Sequence, residues 1–231
     1  IKVYRIDGAY AHQFISLLDL LKIKTVIFTD LDLKRSEDEK KVDIKDKDED
    51  EPDVIPSNIP DLREKYQNIE SFLTTNGTIQ YFIKKLLNKD DAKYDEINSK
   101  IVEILDNKEE LIIEYENISM YSQGKINGYY ATSFEEAIVL TNSVDEEQNK
   151  YKKSLIDLLQ YVHPKMKYFS NINESDNIAK KSYMYQVKLS DGKSKFSTGL
   201  VYLSVIKDEF NLKLPKYIES GLASLCDYFK E

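Results

Sequence analysis

Apolar and polar positions divide the chain into a few short β-branched runs and many longer stretches with helical spacing. Thr25 to Thr29 is short, apolar and β-branched, which suits a strand buried on both faces. Lys2 to Ile6 alternates loosely and predicts an earlier strand, closed by an Asp7-Gly8 turn in which glycine takes backbone angles that other residues resist. Between them, Ala11 to Leu21 spaces Phe14, Leu17, Leu18 and Leu21 as one helical stripe. Strand, helix and strand within about thirty residues predict a βαβ unit with a right-handed crossover. His12 has no second His or Cys nearby and reads as a surface residue.

Lys34 to Asp53 is dense in Glu, Asp and Lys. It has too little apolar surface to offset its ordering entropy, so it predicts a solvated, flexible insertion over 34–58, with Pro52, Pro56 and Pro60 marking the return to order. Tyr66 to Phe72 is ambiguous, and Thr75-Asn76-Gly77 is a turn or helix start. Thr78 to Leu87 predicts a helix burying Ile79, Phe82, Ile83 and Leu86. Asp90 or Asp91 can cap the next, striped by Tyr94, Ile97, Ile101, Ile104 and Leu105. Leu111 to Tyr115 reads as a strand, Asn127-Gly128 as a turn and Tyr129 to Ala131 as a short strand. Ser133 and Glu136 have capping-box spacing for a helix from Phe134, which places Glu135 in its first turn. Further helices are expected over Tyr151 to Val162, Asp176 to Leu189 and Lys195 to Phe210. Pro215 opens a last one carrying Ile218, Leu222, Leu225 and Phe229. His163, before Pro164, reads as a C-terminal residue complementing a helix dipole.

Charge narrows the function. Over 231 residues the net charge is -8, which excludes the broad basic surface of a typical nucleic-acid binder but leaves room for a nuclease whose cations neutralise phosphate locally. A single cysteine, Cys226, allows neither an intrachain disulfide nor a thiolate zinc site and reads as a buried apolar thiol. No apolar run reaches membrane-spanning length, and no signal peptide is visible. Gly192-Lys193-Ser194 is no P-loop, because Val187 stands where its first glycine belongs. No glycine-rich dinucleotide fingerprint follows the first strand.

The candidate chemistry lies at the end of the Thr25 strand. Asp30 and Asp32 are separated by one residue, and in an extended chain both face one point beyond the strand, where open parallel sheets place ligands. A Mg²⁺ or Mn²⁺ ion between them would relieve their repulsion. The same spacing also suits an Asp30 that caps the next segment beside a solvated Asp32. With Glu135 and Lys195 these residues form the usual equipment for metal-assisted attack on a phosphodiester. Taken singly, Glu135 equally suits a plain first-turn charge, and Lys195 a solvated surface lysine.

Several blocks resemble a known family. Val3-Tyr-Arg-Ile-Asp-Gly-Ala-Tyr10 and Val26-Ile-Phe-Thr-Asp-Leu-Asp32 resemble the Toprim domain of OLD-family (overcoming lysogenization defect) nucleases. Thr74-Thr-Asn-Gly-Thr-Ile79, Gly128-Tyr-Tyr-Ala-Thr-Ser-Phe-Glu-Glu-Ala137 and Lys195-Phe196 resemble later blocks of that family, with Ser197 in place of an alanine. The resemblance implies an α/β, Toprim-like Rossmannoid parallel sheet with helical additions: a core over 1–142 and a helical C-terminal part over 143–231. It implies a DNA endonuclease with two Mg²⁺ or Mn²⁺ ions, held by Asp30, Asp32 and Glu135 with Ser133, and Lys195 (or Lys193) acting on the transition state. It further implies an N-terminal ABC-type ATPase that alone would bind ATP, a homo-oligomer, a helicase-like partner protein and a cytoplasmic bacterial or archaeal setting. The family includes anti-phage systems such as the Gabija nuclease. Its Toprim domain normally opens with a Glu-Gly turn, which this chain lacks before Ile1; a fragment of a longer chain is therefore expected. Two other readings remain at this point. A haloacid-dehalogenase-like phosphatase shares the Asp-x-Asp strand end but needs Thr or Val where Lys34 stands. A non-catalytic Toprim-like interaction module is the other.

Overall fold

The computed structural model describes residues 2–4, 6, 9–40, 58–144, 150–207 and 210–230. A 3-10 turn (Ala11–Phe14) leads into α1 (Ile15–Leu20) and β1 (Thr25–Phe28). There follow α2 (Glu37–Lys40), α3 (Leu62–Gln67), α4 (Gly77–Leu87) and α5 (Tyr94–Leu105), then β2 (Glu110–Tyr115), β3 (Ile118–Gln123), β4 (Lys125–Ile126) and β5 (Tyr129–Tyr130). The remainder is helical: α6 (Phe134–Asn142), α7 (Lys150–Val162), α8 (Lys167–Ser170), α9 (Ser182–Asp191), α10 (Lys193–Ile206) and α11 (Lys216–Tyr228). The chain is α/β, with helical additions around a sheet that contains a parallel pair. It forms two compact units: Ile1–Lys34, Ile59–Phe134 and Pro215–Glu231 make unit 1, and Arg35–Asn58 with Glu135–Leu214 makes unit 2. Against the expected division at residue 142, α11 falls in unit 1, and residues 35–58 and 135–142 fall in unit 2.

Unit 1 is built on a sheet of order β1-β3-β2. β3 is central, parallel to β1 and antiparallel to β2, and buried at every position. Glu116, in a left-handed conformation, turns β2 tightly into β3. The predicted stripes of α4 and α5 hold in their centres. Ile79, Phe82, Ile83, Ile97, Ile101 and Leu105 are fully buried in one cluster with Ile118 and Met120. Asn76 caps α4, its Oδ1 accepting from the Thr78 and Ile79 amides at 3.0 and 3.2 Å. Asp61 likewise caps α3, which takes in only Tyr66 and Gln67 of the ambiguous stretch; the rest, to Phe72, is neither helix nor strand. For α5, Lys93 rather than Asp90 or Asp91 stands at the cap, with the Glu96 side chain accepting its amide.

Other expectations fail for identifiable reasons. Lys2 to Tyr4 and Ile6 form no strand; Val3 and Tyr4 are 90% and 77% exposed, with no ladder partner among the described residues. Arg5 and the Asp7-Gly8 turn lie outside the described residues. β1 therefore pairs in parallel with β3 and not with an N-terminal strand. The 3-10 turn at Ala11–Phe14, with three residues per turn, shifts the phase of the next helix: Ala11, Ile15 and Leu18 face the core, while Phe14, Leu17 and Leu21 are exposed. In α11 the buried positions are Tyr217 and Gly221 rather than Leu222 and Phe229, and Cys226 is exposed. The cause is Gly221: a Cβ there would fall inside contact distance of the Phe28 ring and 3.2 Å from Tyr121, so only glycine lets α11 lie this close to β1 and β3.

In unit 2, α7 buries Leu155, Leu158, Leu159 and Val162 as its spacing predicts. α10 begins at Lys193, two residues earlier than expected, and ends at Ile206. It approaches α7 at Gly199, where a Cβ would stand 2.8 Å from Tyr161. Of the charged insertion, Glu37–Lys40 forms one helical turn, and residues 41–57 lie outside the described residues. No described helix is long and apolar enough to cross a membrane.

The Gly221 contact gives a substitution whose sign is diagnostic. Gly→Ala in an exposed helix gains about 1 kcal/mol; here Gly221→Ala is expected to lose about 1–3 kcal/mol through overpacking, read as a lower urea midpoint. A gain would show that α11 does not press on Phe28.

Candidate functional site

β1 stops at Phe28, and the chain runs on through Thr29 to Lys34 with Leu31 and Leu33 buried at 0% and 5% exposure. Backbone groups buried beyond the end of a strand need partners, and three segments of unit 1 supply them. The Leu31 amide donates to Gln123 Oε1 at 2.7 Å, the Asp32 amide to the Thr132 carbonyl at 2.9 Å and the Leu33 amide to Thr132 Oγ1 at 2.8 Å. Thr74 Oγ1 donates to the Leu31 carbonyl, the Thr75 amide to the Asp32 carbonyl and the Lys34 amide to the Leu73 carbonyl.

This alters the expected presentation of the carboxylates. Asp32 has a φ of 47°, in the left-handed region, so strand alternation does not set where its side chain points. Side-chain contacts hold both residues instead. Asp30 Oδ1 accepts from Gln123 Nε2 at 2.7 Å and from the Phe134 amide at 2.9 Å. Asp30 therefore does act as a cap, but of α6, a hundred residues on, and not of the segment that follows it. Asn76 links the pair: its Nδ2 donates to the Asp30 carbonyl at 2.7 Å and to Asp32 Oδ2 at 3.2 Å, and also reaches Thr29 Oγ1 at 2.8 Å. Ser133 is buried immediately before α6.

The remaining candidates belong to unit 2. Glu135 is 5% exposed, and its buried Oε2 has no hydrogen-bond partner among the described residues. Lys195 is exposed as a residue, and its ammonium donates to the Val162 carbonyl. That is the last residue of α7, so Lys195 plays the dipole-complementing part expected of His163. His163 instead holds the Lys188 carbonyl at 3.0 Å and packs on Phe169; burial pushes its pKa below the ordinary value, which disfavours a charged ring. Lys193 is exposed. Among the described residues no three His, Cys, Asp or Glu side chains gather closely enough to hold a metal ion.

Sequence reasoning missed Gln123, Thr132 and the bridging role of Asn76. Asn76 stood just before a helix and could have been read as its cap. Gln123 carries no local signal, since its part depends on the pairing of β3 with β1.

Asn76 has two separable roles. Asn76→Ala is expected to cost about 1–2 kcal/mol for the lost cap alone and more for the lost bridge. Asn76→Asp keeps the cap but turns a carboxylate oxygen on Asp32, so it should remain clearly less stable than wild type in urea denaturation. Equal stability would mean that the Asp32 contact contributes nothing.

No family model and no solved structure matches this chain. Among curated proteins it is similar to the endonuclease GajA of Bacillus cereus (strain HuB5-5), with 35% identity over 230 residues, 98% of this chain but 27% of that protein. The chain spans about a quarter of the length of the curated relative it matches. Over nearly all of its own length, then, it is a homologue of part of an endonuclease.

Proposed function

We propose that the chain is the nuclease portion of a longer OLD-type ATPase-nuclease acting in anti-phage defence, that its fold is Toprim-like, and that it cuts DNA with Mg²⁺ or Mn²⁺ held at Asp30 and Asp32. The observation that carries the reading is the fixed Asp30-Leu31-Asp32 turn at the carboxyl end of β1, in a chain homologous to an endonuclease. An ABC-type ATPase portion, a homo-oligomer and a helicase-like partner belong to the same reading.

The donor set fits the ion. Mg²⁺ takes hard oxygen ligands and is commonly held by one or two carboxylates, with water and substrate phosphate completing the octahedron. Asp30 and Asp32 would hold one such ion. Glu135 supports a second: a carboxylate oxygen buried without a partner is costly, and a cation would offset that cost. When bound, the metal would polarise a phosphodiester and activate water. Ser133 would help hold the second ion, and Lys195 would counter developing charge after leaving the Val162 carbonyl. DNA as substrate is supported by the charge distribution. Between Lys150 and Lys207 eleven lysines stand against four acidic residues, in a chain of net charge -8.

The test uses Asn, which keeps an acceptor oxygen for Gln123 and Phe134 and tolerates the left-handed backbone at position 32. Mn²⁺ should raise the Tm of the wild type, by the equivalent of about 2.7 kcal/mol at a hundred times Kd, and should leave Asp30→Asn with Asp32→Asn unmoved. Equal shifts would remove the metal from these residues. In the full-length protein the same double substitution should abolish nicking of supercoiled plasmid.

A further inference from the structure

We propose that Gln123 is a positioning residue for Asp30, its amide oriented by the Leu31 N–H and supported by the Tyr217 hydroxyl on α11. The inference rests on the metal reading of Asp30 given above.

Gln123 ends β3 with no exposed surface, so its amide depends on protein partners alone. Its amide makes four contacts that agree with one another. Oε1 accepts from the Leu31 amide at 2.7 Å and from Ser122 Oγ at 3.0 Å. Nε2 donates to Asp30 Oδ1 at 2.7 Å and to the Tyr217 hydroxyl at 3.1 Å. The backbone N–H of Leu31 can only donate, so the amide oxygen must face it and the NH₂ must face Asp30. A flipped amide would set NH₂ against the Leu31 N–H and oxygen against the Asp30 carboxylate, losing those two bonds, while the Ser122 and Tyr217 hydroxyls could serve either orientation. Tyr217 takes the second NH₂ proton, so every polar atom of the amide is engaged.

The charge of the donors matters as much as their placement. The Gln123 amide and the Phe134 N–H, which donate to Oδ1, are neutral. They orient the carboxylate without themselves neutralising its charge. A lysine or arginine in the place of Gln123 would hold Asp30 more strongly and compete with the metal. Neutral partners that orient a ligand in this way typically account for about 10–100-fold in metal affinity.

The experiment measures Mn²⁺ affinity by calorimetry and, in metal-free protein, the Phe134 amide resonance, which reports the position of Asp30 directly. Gln123→Met keeps the volume and removes both the donor to Asp30 and the acceptor of the Leu31 amide. It should weaken Mn²⁺ binding about tenfold and move the Phe134 resonance. Tyr217→Phe removes only the acceptor behind Gln123 and should change both readouts in the same direction by less. If Gln123→Met does not fold, Tyr217→Phe decides alone. Wild-type Mn²⁺ affinity in the folded variants would overturn the inference while leaving the metal reading intact. A wild type showing no Asp30-dependent Mn²⁺ binding would overturn both.

Discussion

The buried peptide groups of Leu31 to Leu33 impose the constraint on which unit 1 depends. Here the chain leaves the sheet yet stays inside the protein, and among the described residues its only ladder-type pairing is the isolated bridge between Leu33 and Thr74. Each bond has to be met by a chosen side chain or loop, and those come from Leu73–Asn76, Gln123 and Thr132. The segments that supply them are thereby fixed. Asn76 starts α4, Gln123 ends the central strand, and Phe134, bonded to Asp30, starts α6. Satisfying one turn thus sets where three elements begin or end.

Legibility in the sequence followed how local each cause was. The middles of α4, α5 and α7 were readable because each buries one regular stripe against a neighbour. β3 was not, because Ser119, Ser122 and Gln123 interrupt its apolar run although every position is buried; period-two alternation marks half-buried strands only. The faces of α1 and α11 were misjudged through features that bulk hydrophobicity ignores, a 3-10 turn that resets the phase and a glycine that brings a helix close.

The site divides along the same line. Asp30 and Asp32 adjoin a recognisable strand and could be named from spacing alone. Their partners lie 44 to 104 residues away and become neighbours only through the parallel pairing of β1 with β3 and the entry into α6. The expected alternation of the two carboxylates failed for a related reason. Alternation holds only while the strand continues, and β1 ends before either aspartate.

Asp32 shows what the turn retains against its own stability. A non-glycine residue in the left-handed region costs on the order of 1–2 kcal/mol, and asparagine tolerates it among the best. Asn88, Asn107 and Asn127 take that conformation on helix ends and turns. At position 32 asparagine would satisfy the backbone equally well and would remove a half-buried negative charge set one residue from another. The turn carries aspartate all the same, between two buried leucines and against the neutral amide of Asn76. Backbone geometry alone therefore does not account for the choice of aspartate over asparagine. The contacts from Asn76, Gln123 and the Phe134 amide orient the two carboxylates through neutral donors, an arrangement consistent with the metal reading proposed above.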